Sequence, residues 1–178
     1  RGYGPATLAG TGAIAVLAAF LQAAWLPDPA KAVPVYLGIW ISVAILSAAL
    51  IGVQTHARTR RMHSGLANEM IRMAVEQFLP SVAGGTLMTV VLVRFAPGEL
   101  WMLPGIWQVV FSLGVFSSCR FLPRRMVAAG VWYLLTGLCC IALGGNRAFS
   151  PWAMGIPYGV GQLLVAAVLY FRTQEGKQ

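Results

Sequence analysis

The sequence predicts an all-α integral membrane protein built as a bundle of six transmembrane helices. Three observations predict it. Of the 178 residues, 58 % are hydrophobic and only 10 % are charged, against about 25 % charged in ordinary soluble domains. The mean hydropathy is +0.72, which leaves too little polar surface to keep a globule dispersed in water. The apolar residues also gather in six continuous runs, each close to the ~20 residues of helix that cross ~30 Å of hydrocarbon. The strands of a membrane β-barrel would instead alternate in polarity over ~10 residues.

The runs are Ala6–Leu26, Val35–Val53, Phe78–Phe95, Trp101–Cys119, Val127–Leu143 and Trp152–Phe171. Together they read as one membrane domain over residues 1–178. No Asp, Glu, Lys or Arg interrupts them until Arg94, near the end of the third. The connections "LPDPAKAVP", "APGE" and "GGNRAFSP" are rich in turn formers. Pro34, Pro104 and Pro151 stand near helix starts, where a missing N–H costs nothing. The longest connection, residues 54–77, is different. Its "LANEMIRMAVEQF" puts Leu66, Met70, Met73 and Phe78 roughly on one side of a helix. The segment therefore reads as a cytoplasmic extension of the third helix, or an interfacial helix leading into it, with Pro80 bending the junction. The chain starts at Arg1 rather than Met, as a piece of a longer polypeptide would, and shows no signal peptide with an Ala-x-Ala cleavage site.

Charge predicts the orientation. With six spans both termini fall on one side. That side carries Arg1, Arg58, Arg60, Arg61, Arg72, Arg120, Arg124, Arg125, Arg172 and Lys177, whereas the other carries Lys31, Arg94 and Arg147. Lys and Arg accumulate in cytoplasmic loops, so ten against three places both termini in the cytoplasm of a cell whose inner (plasma) membrane holds the chain. Trp25, Trp101 and Trp152 then fall at the outer boundary, where indole rings prefer to lie. The net charge of +8 is explained by this asymmetry and by anionic lipid headgroups. No interleaved aromatics or recognisable module point to nucleic acid.

An internal echo suggests three helical hairpins of one orientation. "GIW" occurs at residues 38–40 and again at 105–107, and "GIP" at 155–157, each opening the second helix of a pair. "PATLAGTGAIAVL" and "PSVAGGTLMTVVL" echo each other in the first helices.

Small and polar residues form stripes along the helices: Gly38, Ser42, Ala49 and Gly52 on the second; Gly105, Gln108, Ser112 and Cys119 on the fourth; Gly130, Tyr133, Gly137, Cys140 and Gly144 on the fifth; Gly155, Gly159, Gln162 and Ala166 on the sixth. Their first use is close helix packing, because hydrophobic exclusion cannot drive association in lipid. Their second is a pocket lined by Gln22, Gln108, Ser112, Tyr133, Thr136 and Gln162, which would bind a ligand or pass a solute.

The residue types that are missing exclude more. None of the spans holds Asp, Glu or His, the usual intramembrane proton relays. Both histidines, His56 and His63, fall in the 54–77 connection, and HExxH, Walker A and GxGxxG are absent. The three cysteines have no CxxC spacing. No catalytic residue, cofactor or metal site is therefore expected. His56 and His63 lie seven apart but need a further ligand such as Glu69 or Cys119. Arg58, Arg60, Arg61, Arg124 and Arg125 suit anionic headgroups, at about 1 kcal/mol for each basic group near such a surface. Glu69, Arg72 and Glu76 have helix ion-pair spacing and would offer a docking surface to a cytosolic or membrane protein partner. Arg94 and Glu99 are expected to pair across an outer turn.

The expectation is a non-catalytic membrane module that binds a partner, a lipid or an apolar ligand, acting as a sensor, regulator or assembly element. A facilitator for a small neutral solute is the alternative, and an accessory subunit of a larger complex the third.

Overall fold

The computed structural model describes the backbone of residues 4–61, 65–120 and 124–175, and the side chains of 6–54, 72–120 and 124–170. Helices α1 (Gly4–Trp25), α2 (Val33–Arg61), α3 (Gly65–Phe95), α4 (Leu103–Ser118), α5 (Val127–Leu143), α6 (Gly145–Ala148) and α7 (Pro151–Glu175) come in this order, with short 3₁₀ turns between some of them and no strand among the described residues. Six stretches are long and apolar enough to cross a membrane: Ala6–Trp25, Val33–Gln54, Arg72–Phe95, Pro97–Ser118, Arg124–Leu143 and Gly145–Tyr170.

Local chemistry sets the helix ends. Leu26 and Ala96 each precede a proline, whose ring disfavours helical geometry in the residue before it, and α1 and α3 stop just short of them. Pro104 and Pro151 sit in the first turns of α4 and α7. The α5–α6 corner turns on Gly144 and Gly145, with φ of +64° and +54°, a region open to glycine because it has no Cβ. Helix α2 runs on to Arg61, and α3 begins at Gly65 and continues through Pro80 to Phe95. Residues 65–77 are thus an extension of the third helix, one of the two forms expected, while the continuation of α2 beyond its apolar run was not expected.

The spans pack in the order α2–α1–α7–α5–α4–α3. Helices α2 and α3, though consecutive, stand at the two ends of this order and form no packed pair among the described residues. The two closest seams, α1/α7 and α4/α5, are made by glycines. A Cβ on Gly105 would lie 2.7 Å from the carbonyl oxygen of Gly137, and one on Gly137 would lie 2.9 Å from that of Gly105. Across the other seam a Cβ on Gly12 would lie 3.1 Å from the carbonyl oxygen of Gly159. Three of the four small-residue stripes are seated in such seams. The fourth, Gly38, Ser42, Ala49 and Gly52 on α2, is exposed.

The largest buried cluster lies at the end of the bundle away from the chain termini, where Tyr36, Trp40, Phe149, Met154 and Ala19 meet. Tyr36 and Phe149 pack edge to face, with centroids 5.0 Å apart. Trp25, Trp101 and Trp152 all lie at this same end, Trp25 being 79 % exposed. Large apolar side chains turn outward along every span, among them Leu17, Ile45, Leu87, Leu135 and Leu163. A water-soluble bundle would bury them.

Replacing Gly105 by Ala puts a methyl group where the Gly137 carbonyl and Ile141 already stand. We expect it to lower the stability of the detergent-solubilised chain by about 1–3 kcal/mol, the usual cost of overpacking. Gly10→Ala, whose Cβ meets nothing within 4 Å, should leave the unfolding midpoint within experimental scatter. Equal effects from the two would show that α4 and α5 are not held by this approach.

Candidate functional site

The buried polar residues of the bundle are Thr11, Gln22, Gln108, Ser112 and Ser118. All are uncharged, and each donates at least one hydrogen bond to a backbone carbonyl. Gln22, on the last turn of α1, is fully buried, and both ends of its amide are used. Its Nε2 donates to the Phe149 carbonyl at 2.8 Å, and its Oε1 accepts the Trp40 indole N–H at 2.8 Å. One side chain thereby ties α1, α2 and the turn that starts α7.

Gln108 has a different task. Pro157 lies inside α7 and lacks the N–H that would close a helical bond to the carbonyl four residues back. That carbonyl belongs to Ala153, and Gln108 Nε2 on α4 donates to it at 2.8 Å. It also reaches the Pro104 carbonyl of its own helix at 3.2 Å. A glutamine on one helix thus repairs a proline gap in another.

The other residues expected to line a pocket are placed differently. Ser112 is buried and its hydroxyl donates back to the Val109 carbonyl. Thr136 is half-buried and donates to the Trp132 carbonyl. Tyr133 is fully buried against Phe111 and Tyr158, with ring centroids 4.7 and 5.3 Å away. Its ring abuts Gly161, where a Cβ would overlap the phenol. Gln162 is half-buried beside Gly12. Four buried polar atoms among the described residues have no hydrogen-bond partner: Tyr36 Oη, Gln108 Oε1, Tyr133 Oη and Gln162 Oε1.

The sequence missed Tyr36 and Tyr158, because a tyrosine in an apolar run looks the same whether it faces lipid or core. It also missed the indole bonds. Trp107 Nε1 donates to Thr89 Oγ1 at 2.8 Å, and Trp132 Nε1 to the Pro157 carbonyl at 2.9 Å. The signal was present in the 18-residue separation shared by Trp40 with Gln22 and by Trp107 with Thr89.

Two open surface cavities stand out among the described residues, and neither is lined by Gln108 or Gln162. One of about 370 Å³ lies at the end carrying Trp25, between Leu26, Pro29, Asn146, Phe149 and Trp152. The other, of about 530 Å³, is an apolar groove between α1 and α2 lined by Ala18, Leu21, Gly38, Ser42 and Leu46.

At the other end, Arg72 and Glu76 pair at 3.4 Å with both side chains more than half exposed, a kind of contact that contributes under about 1 kcal/mol. Arg124 and Arg125 are exposed on the turn before α5. The side chains of His56, Arg58, Arg60, Arg61, His63 and Glu69 lie outside the described residues. No cluster of three metal-ligating side chains occurs among the described residues. The expected Arg94–Glu99 pair is not formed. Glu99 instead accepts the Trp101 indole N–H at 2.9 Å, two residues along the same turn. Asp28 and Lys31 pair at 2.8 Å on the exposed turn after α1, and the carboxylate raises the Lys31 pKa.

No family model matches the sequence, and no curated protein or solved structure is similar to it.

Gln108→Leu strands the Ala153 carbonyl, so we expect a loss of about 1–3 kcal/mol, the usual cost of a buried unsatisfied group. Pro157→Ala returns an N–H to that carbonyl, and in its background Gln108→Leu should cost at least about 1 kcal/mol less. Additive losses in a thermal double-mutant cycle would mean that Gln108 does not act through the proline gap.

Proposed function

We propose that the chain is a non-catalytic, multi-pass protein of the inner (plasma) membrane that acts by binding and assembly. Both termini and the junction of α2 with α3 face the cytoplasm in this reading. The carrying observation is how the polar groups are sorted. The five buried polar residues are uncharged, and the two longest, Gln22 and Gln108, are engaged in holding neighbouring helices. Proton relays and intramembrane hydrolysis need ionisable groups at membrane depth. The charged residues instead gather at the helix ends, ten of the thirteen basic ones on the side of the termini. That distribution supports the orientation and leaves the 54–77 segment, with Glu69, Arg72 and Glu76, as the surface for a protein partner. Arg58, Arg60, Arg61, Arg124 and Arg125 serve anionic headgroups on the same side.

Three repeated hairpins, α1–α2, α3–α4 and α5–α7, make up this module. Two features support the repeat. The third residue of each GIW or GIP triplet takes part in a tryptophan hydrogen bond inside its own hairpin, through Trp40, Trp107 and the Pro157 carbonyl. The first residue of the second and third triplets, Gly105 or Gly155, seats the first helix of the next hairpin, α5 or α1.

A second reading, a facilitator for a small neutral solute, draws on the four unpartnered buried atoms of Tyr36, Gln108, Tyr133 and Gln162. Glycerol and urea flux into proteoliposomes separates the two. The binding module should match protein-free vesicles, and a protein-dependent flux abolished by Gln162→Leu would favour the facilitator.

For orientation, a C-terminal tag should be cleaved by protease only after the cells are opened. For docking, Glu69→Ala, Arg72→Ala and Glu76→Ala together should release a stoichiometric partner with the thermal midpoint unchanged. A tag cut in intact cells, or an unchanged set of partners, would sink the respective claim.

A further inference from the structure

We propose that two copies of the chain form a two-fold dimer in which α2 of each copy packs antiparallel on α3 of the other. The inference rests on the proposed membrane and hairpin-repeat reading and adds the partner that reading leaves unnamed.

Within one chain, the second helix of a hairpin packs on the first helix of the next. Helix α4 packs on α5, and α7 packs on α1. Both seams are entered by the glycine that opens the triplet, Gly105 against Gly137 and Gly155 against Ala19. The third seam of the set would join α2 to α3, and among the described residues it is not formed. Gly38, the matching glycine, meets nothing within 4 Å, and neither does Gly52 on α2 or Gly84 on α3.

Each of these end helices is committed on one side and open on another. Helix α2 buries Tyr36 and Trp40, while Gly38, Ser42, Ala49 and Gly52 lie exposed, Gly38 and Ser42 lining the open groove beside α1. Helix α3 turns Ala74, Phe78, Ser81, Gly85, Thr89 and Leu92 inward, and leaves Ala83, Gly84, Leu87 and Val91 exposed. Small residues on such faces let helix backbones approach closely in lipid.

The chain's own α3 is not free to cross to α2. It is held on α4 at both ends, by Trp107 Nε1 to Thr89 Oγ1 at 2.8 Å and by Ser118 Oγ to the Ala74 carbonyl at 3.0 Å. Helix α2 is held on α1 by the Trp40–Gln22 bond. The α3 of a second copy offers the same face without breaking either tie. With a two-fold axis along the membrane normal it runs antiparallel to α2, as α5 does to α4 and α1 to α7. Charge fits as well. The last turns of α2 carry Arg58, Arg60 and Arg61, the first turns of α3 carry Glu69 and Glu76, and this pairing brings those ends together. The contact is made twice and closes on itself, as a two-fold interface must.

The test uses the full chain in native membranes, expressed as two differently tagged copies. One copy carries Leu87→p-benzoylphenylalanine, a photo-reactive side chain on the open face of α3 at the depth of Ser42. Illumination should join the two tags, and mass spectrometry should map the bond to residues 38–52 of the other copy. Gly38→Leu with Gly52→Leu, outside the Trp40–Gln22 contact, should abolish this product and leave a monomer in nanodiscs with the thermal midpoint retained. A wild-type monomer in nanodiscs, a crosslink to the chain's own α2, or a crosslink between copies that maps to other helices would each overturn the dimer. A chain that stays monodisperse in buffer without detergent would instead overturn the membrane reading itself.

Discussion

Where α4 crosses α5, the carbonyl oxygen of Gly105 faces the alpha carbon of Gly137 with no room for a methyl group between them. The same approach recurs where Gly12 meets Gly159. These two seams depend on backbone contact, and the packing order α2–α1–α7–α5–α4–α3 is built on them. Close backbone approach maximises dispersion contact where lipid tails are as apolar as the side chains. It also explains why so many large apolar residues are left outside. Once glycine and alanine occupy the seams, Leu, Ile and Val cover the remaining surface, which suits lipid.

Seams of this kind leave little space for polar groups, and the few that are enclosed carry structural tasks. Gln22 bridges three parts of the chain, and Gln108 supplies the donor that Pro157 cannot. A proline inside a membrane helix is tolerated when a neighbouring helix re-satisfies the freed carbonyl, and here the neighbour is identified. A residue used in this way is poorly placed to bind a substrate, since turning toward one would strand the backbone it serves. The phenols of Tyr36 and Tyr133 differ in having hydroxyl groups with no partner among the described residues. With the Oε1 atoms of Gln108 and Gln162, they are the buried side-chain groups with bonding capacity to spare among the described residues.

The two ends of the bundle differ in chemistry. At one, tryptophans ring a packed aromatic cluster and two short 3₁₀ turns link the helices. At the other, α2 and α3 run beyond their apolar stretches and carry the arginines and glutamates with them. Residues 54–61 and 65–77 are thereby helical, so the backbone that bears these charges is regular.

The sequence by itself determined the class, the number of helices and most of their limits, because continuous apolar runs and prolines act locally. It also located the stripes on α4, α5 and α7, since small residues in an apolar helix have few uses besides packing. The helical extension of the third span was legible in residues 66–78, but the continuation of α2 to Arg61 was not, because helix propensity there is a local property, blind to the helix before it. Only the tertiary structure decided which helices pair. Periodicity marks a face without naming the face opposite, so the stripe on α2 read the same as the other three and yet is left open. The task of Gln108 was hidden for the same reason: the carbonyl it serves lies 45 residues away, on a helix that local sequence cannot bring near.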